Sequence, residues 1–321
     1  MITNIPTAAD YEKTALSLLN LAWETTLELA VVLNEAKRSD PESVEEQQYW
    51  SACHTQLTTA ISLVQQALEF ELKSRIAAVS PYLLIPGPPD KWPKRCNTSD
   101  LPFADFYAID AQELLRAHDT VASQRLPEAI KLLFTDLRKR RNSIMHTVDE
   151  RLKIEVKEVI LAVLEIADWC VGHGKWIATR QRHIEQSPHS VAYAKFYDHL
   201  TFFLAREVMT VVEMLPPAEI ERLLGVDVKQ RRYVCHSCLS GCRDNDFTPT
   251  LAFLAPNTPS STNLHCYICG KDYAVIRQSC TQPDCKGNVI EPEEMTCLTC
   301  LATSDEPDAP RQPTTTHEAK N

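Results

Sequence analysis

Four cysteine pairs in the last third of the chain constrain its fold more than any other feature. They are Cys235 and Cys238, Cys266 and Cys269, Cys280 and Cys285, and Cys297 and Cys300. Three have C-x2-C spacing and one has C-x4-C. A C-x2-C turn lets two thiolates bind one ion while the intervening amides point toward the sulfurs, and two such turns complete a tetrahedral site. Four pairs therefore predict two structural Zn2+ ions. Nine of the 12 cysteines follow residue 234, and the opening "MITNIPTAADYEK" lacks a basic stretch followed by an apolar one, so no secretory signal is read. Metal binding fits this usage better than disulfides.

The four pairs can be joined as sequential neighbours, as an alternating cross-brace or as a nested arrangement. Sequential joining is favoured, with Cys235, Cys238, Cys266 and Cys269 in one site and Cys280, Cys285, Cys297 and Cys300 in the other, because each then closes a short ribbon-like unit. Gly270 follows the second knuckle, and Tyr273, Val275 and Ile276 suit a strand. Cys242, His236 and His265 are spare potential ligands. A four-cysteine zinc site is closed to water, so it stabilises a small domain and does not catalyse.

Ahead of the cysteines the pattern is different. The chain has only seven glycines, and its apolar residues recur at helical spacing, which predicts a mainly α body. Leu16, Leu19, Trp23, Leu27, Ala30 and Val31 mark one face of a helix from Thr7 to about Lys37. A second helix is expected from about Ser43 to Ala78, opened by a Ser43/Glu46 capping box, with Trp50, Leu57, Ile61, Val64, Leu68, Leu72 and Ile76 inward. The proline-rich stretch 80–103 is a loop. Further helices are expected over about Gln112 to Ala122, from Pro127 through the basic run at Arg138, over Leu152 to Gly172, over Lys175 to Gln186 and over Ser190 to Met214, with a short one after the paired prolines Pro216 and Pro217. The organisation expected is a helical bundle over 1–174, a helical extension over 175–230, tandem four-cysteine zinc ribbons with short β-strands over 231–302, and a disordered polar tail over 303–321.

The balance of 33 basic to 43 acidic residues, a formal net charge of −10, argues against a general nucleic-acid coat. Nucleic-acid contact must be local. No uncharged apolar run of 18 residues is present, so no membrane span is read and a cytoplasmic location is expected.

One local basic run stands out. "RKRRNSIMHT", Arg138 to Thr147, places Asn142 and His146 four residues apart on one helix face, with Arg141 about 140° from His146 around the helix. Such a cluster suits phosphodiester chemistry. A histidine can take the ribose 2′-hydroxyl proton or protonate the departing oxygen. An arginine can hold two phosphoryl oxygens and stabilise the charge that develops in the transition state, while an asparagine orients either partner. Taken alone, R-x4-H on a helix is more often a solvated basic face.

The neighbouring motifs add to it. Glu69 and Lys73 lie in "ALEFELKSRIAAVSPYLL" in an E-x3-K arrangement on a long helix; a loop follows, then "LLRAHD", then "LRKRRNSIMHTVD". This order resembles the HEPN family of α-helical bundles, whose signature is R-x4–6-H, often with Asn directly after the Arg. The resemblance covers roughly residues 8 to 172. It implies an antiparallel bundle that forms a homodimer in which two motifs share one cleft, acting as a metal-independent endoribonuclease that leaves a 2′,3′-cyclic phosphate. Arg141, Asn142 and His146 take the family's catalytic positions, and Glu69 and Lys73 its supporting ones. Many members are toxins paired with an antitoxin, or antiviral defence effectors; others are inactive and bind RNA, nucleotide or a partner protein. The cysteine segment and the helices from about Lys175 lie outside the family pattern. His118 in "LLRAHD" and Trp92 in "KWPKRC" are secondary candidates, one to line a cleft and the other to stack on a base, although a buried histidine and an exposed loop are the commoner outcomes.

Overall fold

The computed structural model describes residues 1–40, 45–146, 153–188, 198–242 and 247–303. Contacts divide the chain into two compact units, Met1–Val228 and Lys229–Asn321. The first is helical. After a short strand β1 (Ile2–Thr3), α1 spans Ala8–Ser39, and its start is fixed by a reciprocal cap: the Asp10 amide donates to Thr7 Oγ1 at 3.2 Å and the Thr7 amide donates to Asp10 Oδ2 at 2.8 Å. There follow α2 (Glu46–Ala52), α3 (His54–Val79), strand β2 (Leu101–Pro102), α4 (Ala111–Val121), α5 (Glu128–His146), α6 (Val156–Val171), α7 (Trp176–Glu185), α8 (Asp198–Met214) and α9 (Pro217–Leu224).

The core is the α1/α3 pair. Ala15, Leu19, Ala22, Trp23, Leu27 and Ala30 from α1, and Leu57, Ile61, Val64, Leu68, Leu72 and Ile76 from α3, are buried. Their spacing of three and four residues places each set on one stripe, and the two stripes cover each other along most of their length. Among the described residues α1 is the one helix long and apolar enough to cross a membrane; here α3 covers much of its apolar surface. α4 and α5 pack on α3, and α6 touches both central helices. α7 and α8 pack on α1, and α9 on α6, so the helices after residue 175 belong to the same compact unit as the bundle. β1 and β2 pair in parallel and tie the first residues to the proline-rich loop.

The single helix expected from Ser43 to Ala78 is divided. Cys53, at φ −82° and ψ 1°, separates α2 from α3. The short outer piece turns to the surface of α1, where Tyr49 Oη donates to the Leu29 carbonyl at 2.7 Å. Trp50, expected inward, is instead half-buried and stacked edge-on against Tyr49. The Ser43/Glu46 capping box involves a residue outside the described set, and the expected tail lies outside it from residue 304 onward. Pro127 lies just before α5 and not in its first turn: its carbonyl accepts the amides of Ile130 and Lys131.

The second unit holds a short helix, α10 (His236–Ser240), an antiparallel three-stranded sheet of β3 (Ala252–Leu254), β4 (Asn263–Cys266) and β5 (Asp272–Ala274), and a hairpin of β6 (Ile290–Glu291) and β7 (Thr296–Cys297). Bridges from Tyr233 to Ala252 and from Ile276 to Ile290 join the parts, and the Val234 amide donates to the Leu298 carbonyl at 2.9 Å. The strands are very short. Few backbone hydrogen bonds and a small core are available to such a unit, so a cross-link other than the sheet must hold it.

Candidate functional sites: two thiolate clusters and the basic end of α5

The first cluster is assembled by three elements. Cys235 immediately precedes α10, Cys238 lies within it, Cys266 ends β4, and Cys269 lies in the turn toward β5. The turn closes through the Gly270 amide donating to the Cys266 carbonyl at 2.8 Å. Gly270 has φ +65°, which disfavours a residue with a side chain. Sγ of Cys235 is 3.9 Å from that of Cys269, Sγ of Cys238 is 3.7 Å from that of Cys266, and all four sulfurs lie within 4.8 Å of one another. Tetrahedral ligation at a Zn–S length of about 2.3 Å requires sulfurs about 3.8 Å apart.

The second cluster joins Cys280 to Cys300 at 3.6 Å and Cys285 to Cys297 at 3.9 Å. Backbone amides point at its sulfurs: Gln282 N–H donates to Cys280 at 3.4 Å and Gly287 N–H to Cys285 at 3.3 Å. A Cβ at Gly287 would lie 2.6 Å from Cys297 Sγ and 3.1 Å from Cys285 Sγ, so the chain passes too close to the sulfurs for any other residue. Burial would raise the Cys297 thiol, but amides of Cys300 and Thr299 and the neighbouring thiols pull it down to about 7.

The donor set fits a cation in both places. Hydrogen bonding within the first cluster, from Cys235 foremost, pushes the Cys238 thiol far above the ordinary thiol value and the Cys269 thiol far below it. Four sulfurs at this separation, three of them in fully buried residues in the first cluster, cannot all carry charge unless a cation neutralises them. The sequential pairing expected from the sequence is the one the fold brings together. Neither group of four includes a spare ligand: Cys242 is buried with its thiol raised to about 11 by burial and by Cys235, His236 Nδ1 is buried without a hydrogen-bond partner among the described residues, and His265 Nδ1 sits 3.0 Å from Asp272 Oδ1. Tyr273 Oη, 3.3 Å from Cys269 Sγ, adds a hydrogen bond around the first cluster.

The basic run occupies the last turns of α5. Arg140 is tied off, with Nε 2.7 Å from Asp136 Oδ2 and Nη1 3.0 Å from Glu158 Oε2. Arg141 and Asn142 are half-exposed, and Arg141 makes no ion pair with a described residue. His146 is the last residue of α5; its side chain lies outside the described set. Glu69 and Lys73 are half-buried on α3. Glu69 accepts a hydrogen bond from Gln65 Nε2 at 2.5 Å, and the Lys73 ammonium lies 5.2 Å from the centroid of the Phe70 ring. Among the described residues neither joins the other or the α5 group.

The two secondary candidates are packed. His118 is buried with Nδ1 3.2 Å from Asp119 Oδ1, and Trp92 stacks edge-on against Phe106 with centroids 5.8 Å apart. Two polar groups escaped the sequence reading. Arg180 is 3% exposed and pairs with Glu207 while donating to Asn20 Oδ1 at 3.3 Å, and Trp23 Nε1 donates to Glu207 Oε2 at 2.9 Å. Arg75 pairs with buried Glu71 at 2.8 Å, and its guanidinium carbon lies over the Trp169 ring, 3.8 Å from its centroid. The available signal was register: Arg180 follows Trp176 and Ile177 at helical spacing and precedes Ile184, so it falls on the buried stripe.

Fold and sites together define a mainly helical protein with a separate small unit gathered around two four-cysteine clusters suited to metal. Family models, curated proteins and solved structures give no match to the chain.

Proposed function

We propose that the chain is a metal-independent endoribonuclease of the HEPN type, working as a homodimer, whose two cysteine clusters each hold a structural Zn2+ and position RNA or a partner protein. Arg141 would clamp the scissile phosphate and Asn142 would orient it. His146 would take the 2′-hydroxyl proton and return one to the leaving oxygen. Attack by that hydroxyl breaks the bond to the 5′-oxygen and leaves a 2′,3′-cyclic phosphate. The closed thiolate sites supply folding energy and take no part in the chemistry.

One observation carries the reading. In a run of four cations, Arg140 is held by two carboxylates, whereas Arg138, Lys139 and Arg141 make no ion pair with a described residue; of these three, Arg141 is the one directly followed by a half-buried Asn, Asn142, in the R-x4-H spacing. A guanidinium with no described carboxylate beside it suits an incoming phosphate. The place of such an enzyme among toxins or antiviral effectors follows from the resemblance alone.

The test is RNA cleavage by the purified full chain in a brief EDTA treatment that leaves the cysteine unit folded. Cyclic-phosphate ends and their loss in His146→Ala are expected. Undiminished cutting by that variant removes the mechanism.

A second reading, a non-catalytic adaptor that binds RNA, nucleotide or a partner protein, draws on Glu69 and Lys73, which are engaged with Gln65 and Phe70 and not with α5. RNA binding without cleavage, indifferent to Arg141→Ala, would establish it.

A further inference from the structure

The two thiolate clusters are not equivalent. In the first, Cys235, Cys238 and Cys266 are fully buried, and half-buried Cys269 has Tyr273 Oη against its sulfur. In the second only Cys297 is buried; Cys280 and Cys285 are half-buried and Cys300 is exposed. The outward side of that cluster is the Cys280–Cys300 pair, with sulfurs 3.6 Å apart. The supports differ as well. The first cluster is anchored in a helix and a three-stranded sheet, whereas of the second cluster only Cys297 lies on a strand, the two-residue β7, which Met295 at φ +50° precedes and Leu301 at φ +63° follows.

We propose that the second cluster is a peroxide-sensitive, releasable metal site, while the first is permanent. The inference rests on both clusters holding metal. Reactivity of a thiolate follows its access to the oxidant as much as its basicity. The exposed Cys300 thiolate attacks one oxygen of hydrogen peroxide. The O–O bond breaks and hydroxide leaves with the electron pair, giving a sulfenic acid. The Cys280 thiolate then attacks that sulfur; the S–O bond breaks, a second hydroxide leaves and the disulfide forms. Two electrons pass from the sulfurs to the peroxide, and two protons from solvent turn the hydroxides into water. The ion, left with two thiolates of four, dissociates. The first cluster has no sulfur equally open to attack, and a small sheet still covers it, so its ion stays.

The experiment uses the full chain. Metal content is measured first, and two ions per chain are expected; none would overturn the metal reading itself, separately from the order of release. Peroxide is then added with a chromogenic zinc chelator, and the products are mapped by differential alkylation and peptide mass spectrometry. The expected result is a fast phase that releases one of the two ions and yields a disulfide linking Cys280 to Cys300, reversed by thiol reductant and added zinc. Gly287→Ala, which pushes a Cβ into the second cluster, should lack the fast phase. Simultaneous loss of both ions, a first disulfide among Cys235, Cys238, Cys266 and Cys269, or an undiminished fast phase in Gly287→Ala would each overturn the proposal.

Discussion

Arg180 of α7 and Glu207 of α8 meet in a two-point ion pair, Nε to Oε2 at 2.9 Å and Nη2 to Oε1 at 2.7 Å, inside the helical unit. Asn20 and Trp23 of α1 bond to the same pair, so one charge couple fastens three helices. Removing one member strands the other charge in a buried place. Arg180→Ala and Glu207→Ala should each lower unfolding stability by about 3–5 kcal/mol, read from urea denaturation of the full chain. The double replacement by apolar residues of similar volume, Arg180→Met with Glu207→Leu, should recover much of that loss. A single variant as stable as the parent would show that the pair is hydrated.

Asp119 gives a prediction in pH. Burial opposes its charge, but hydrogen bonds from Lys131, the Leu126 amide and His118 outweigh it and hold the carboxyl at about 2. An unfolded aspartate titrates near 3.9. The folded form is depressed, so its contribution is complete above about 4 and is lost as pH falls toward 2. Asp119→Asn should cost about 1–2 kcal/mol at neutral pH, and the gap between variant and parent should close between pH 4 and 2. A gap that stays constant over that range would exclude the linkage.

The legibility of these features differs by the range of the interaction behind each. Apolar spacing alone placed α1 and the inward stripe of α3, because periodicity is local to each helix. The cysteine spacing marked the eight ligands as four pairs, because C-x2-C and C-x4-C turns close locally; it favoured sequential joining among three arrangements, and the fold brings those same pairs together. The break at Cys53 was hidden: the apolar pattern runs through it, and what turns α2 aside is the Tyr49 hydroxyl reaching a carbonyl on another helix. Arg180 and Glu207 are 27 residues apart and meet Asn20 across 160, a partnership that no local pattern encodes. The E-x3-K spacing sets Glu69 and Lys73 on one helix face, yet Gln65 and Phe70, equally near on the same helix, engage them instead.

Metal removal should separate the two units. Prolonged chelation takes the cross-links from a unit whose strands are two to four residues long, and thiolate sites of this kind contribute about 10–16 kcal/mol of binding free energy. Amide exchange over the cysteine unit is therefore expected to become fast, while the helical unit, with its own α1/α3 core, keeps its protection and its far-ultraviolet helical signal. Leu68→Ala should do the reverse: this wholly buried α3 residue should cost the helical unit about 2–5 kcal/mol with metal content unchanged. Loss of helical protection on chelation would refute the division.

Arg140 and Arg141 are adjacent in sequence but differ in surroundings, and under the proposed function that difference assigns a structural role to the first and a phosphate-binding role to the second. Arg140 bridges α5 to α6 through Glu158 and braces its own helix through Asp136, both partly exposed pairs. Screening by solvent limits such pairs to about 0.2–1 kcal/mol each. Arg140→Ala should thus lower stability slightly and leave RNA cleavage per folded molecule near the parent value. Arg141 braces no described carboxylate, so Arg141→Ala should leave stability within about 0.5 kcal/mol of the parent. It should nonetheless reduce cleavage by about 10²–10³, the usual loss when one donor to a developing oxyanion is removed. Arg141→Lys retains the charge but not the two-pronged geometry and should recover only part of the rate. Parallel denaturation and cleavage measurements on the three variants give the answer: equal activity losses for Arg140→Ala and Arg141→Ala would mean that the run acts as a diffuse basic patch, and the assignment of a phosphate clamp to Arg141 would fail.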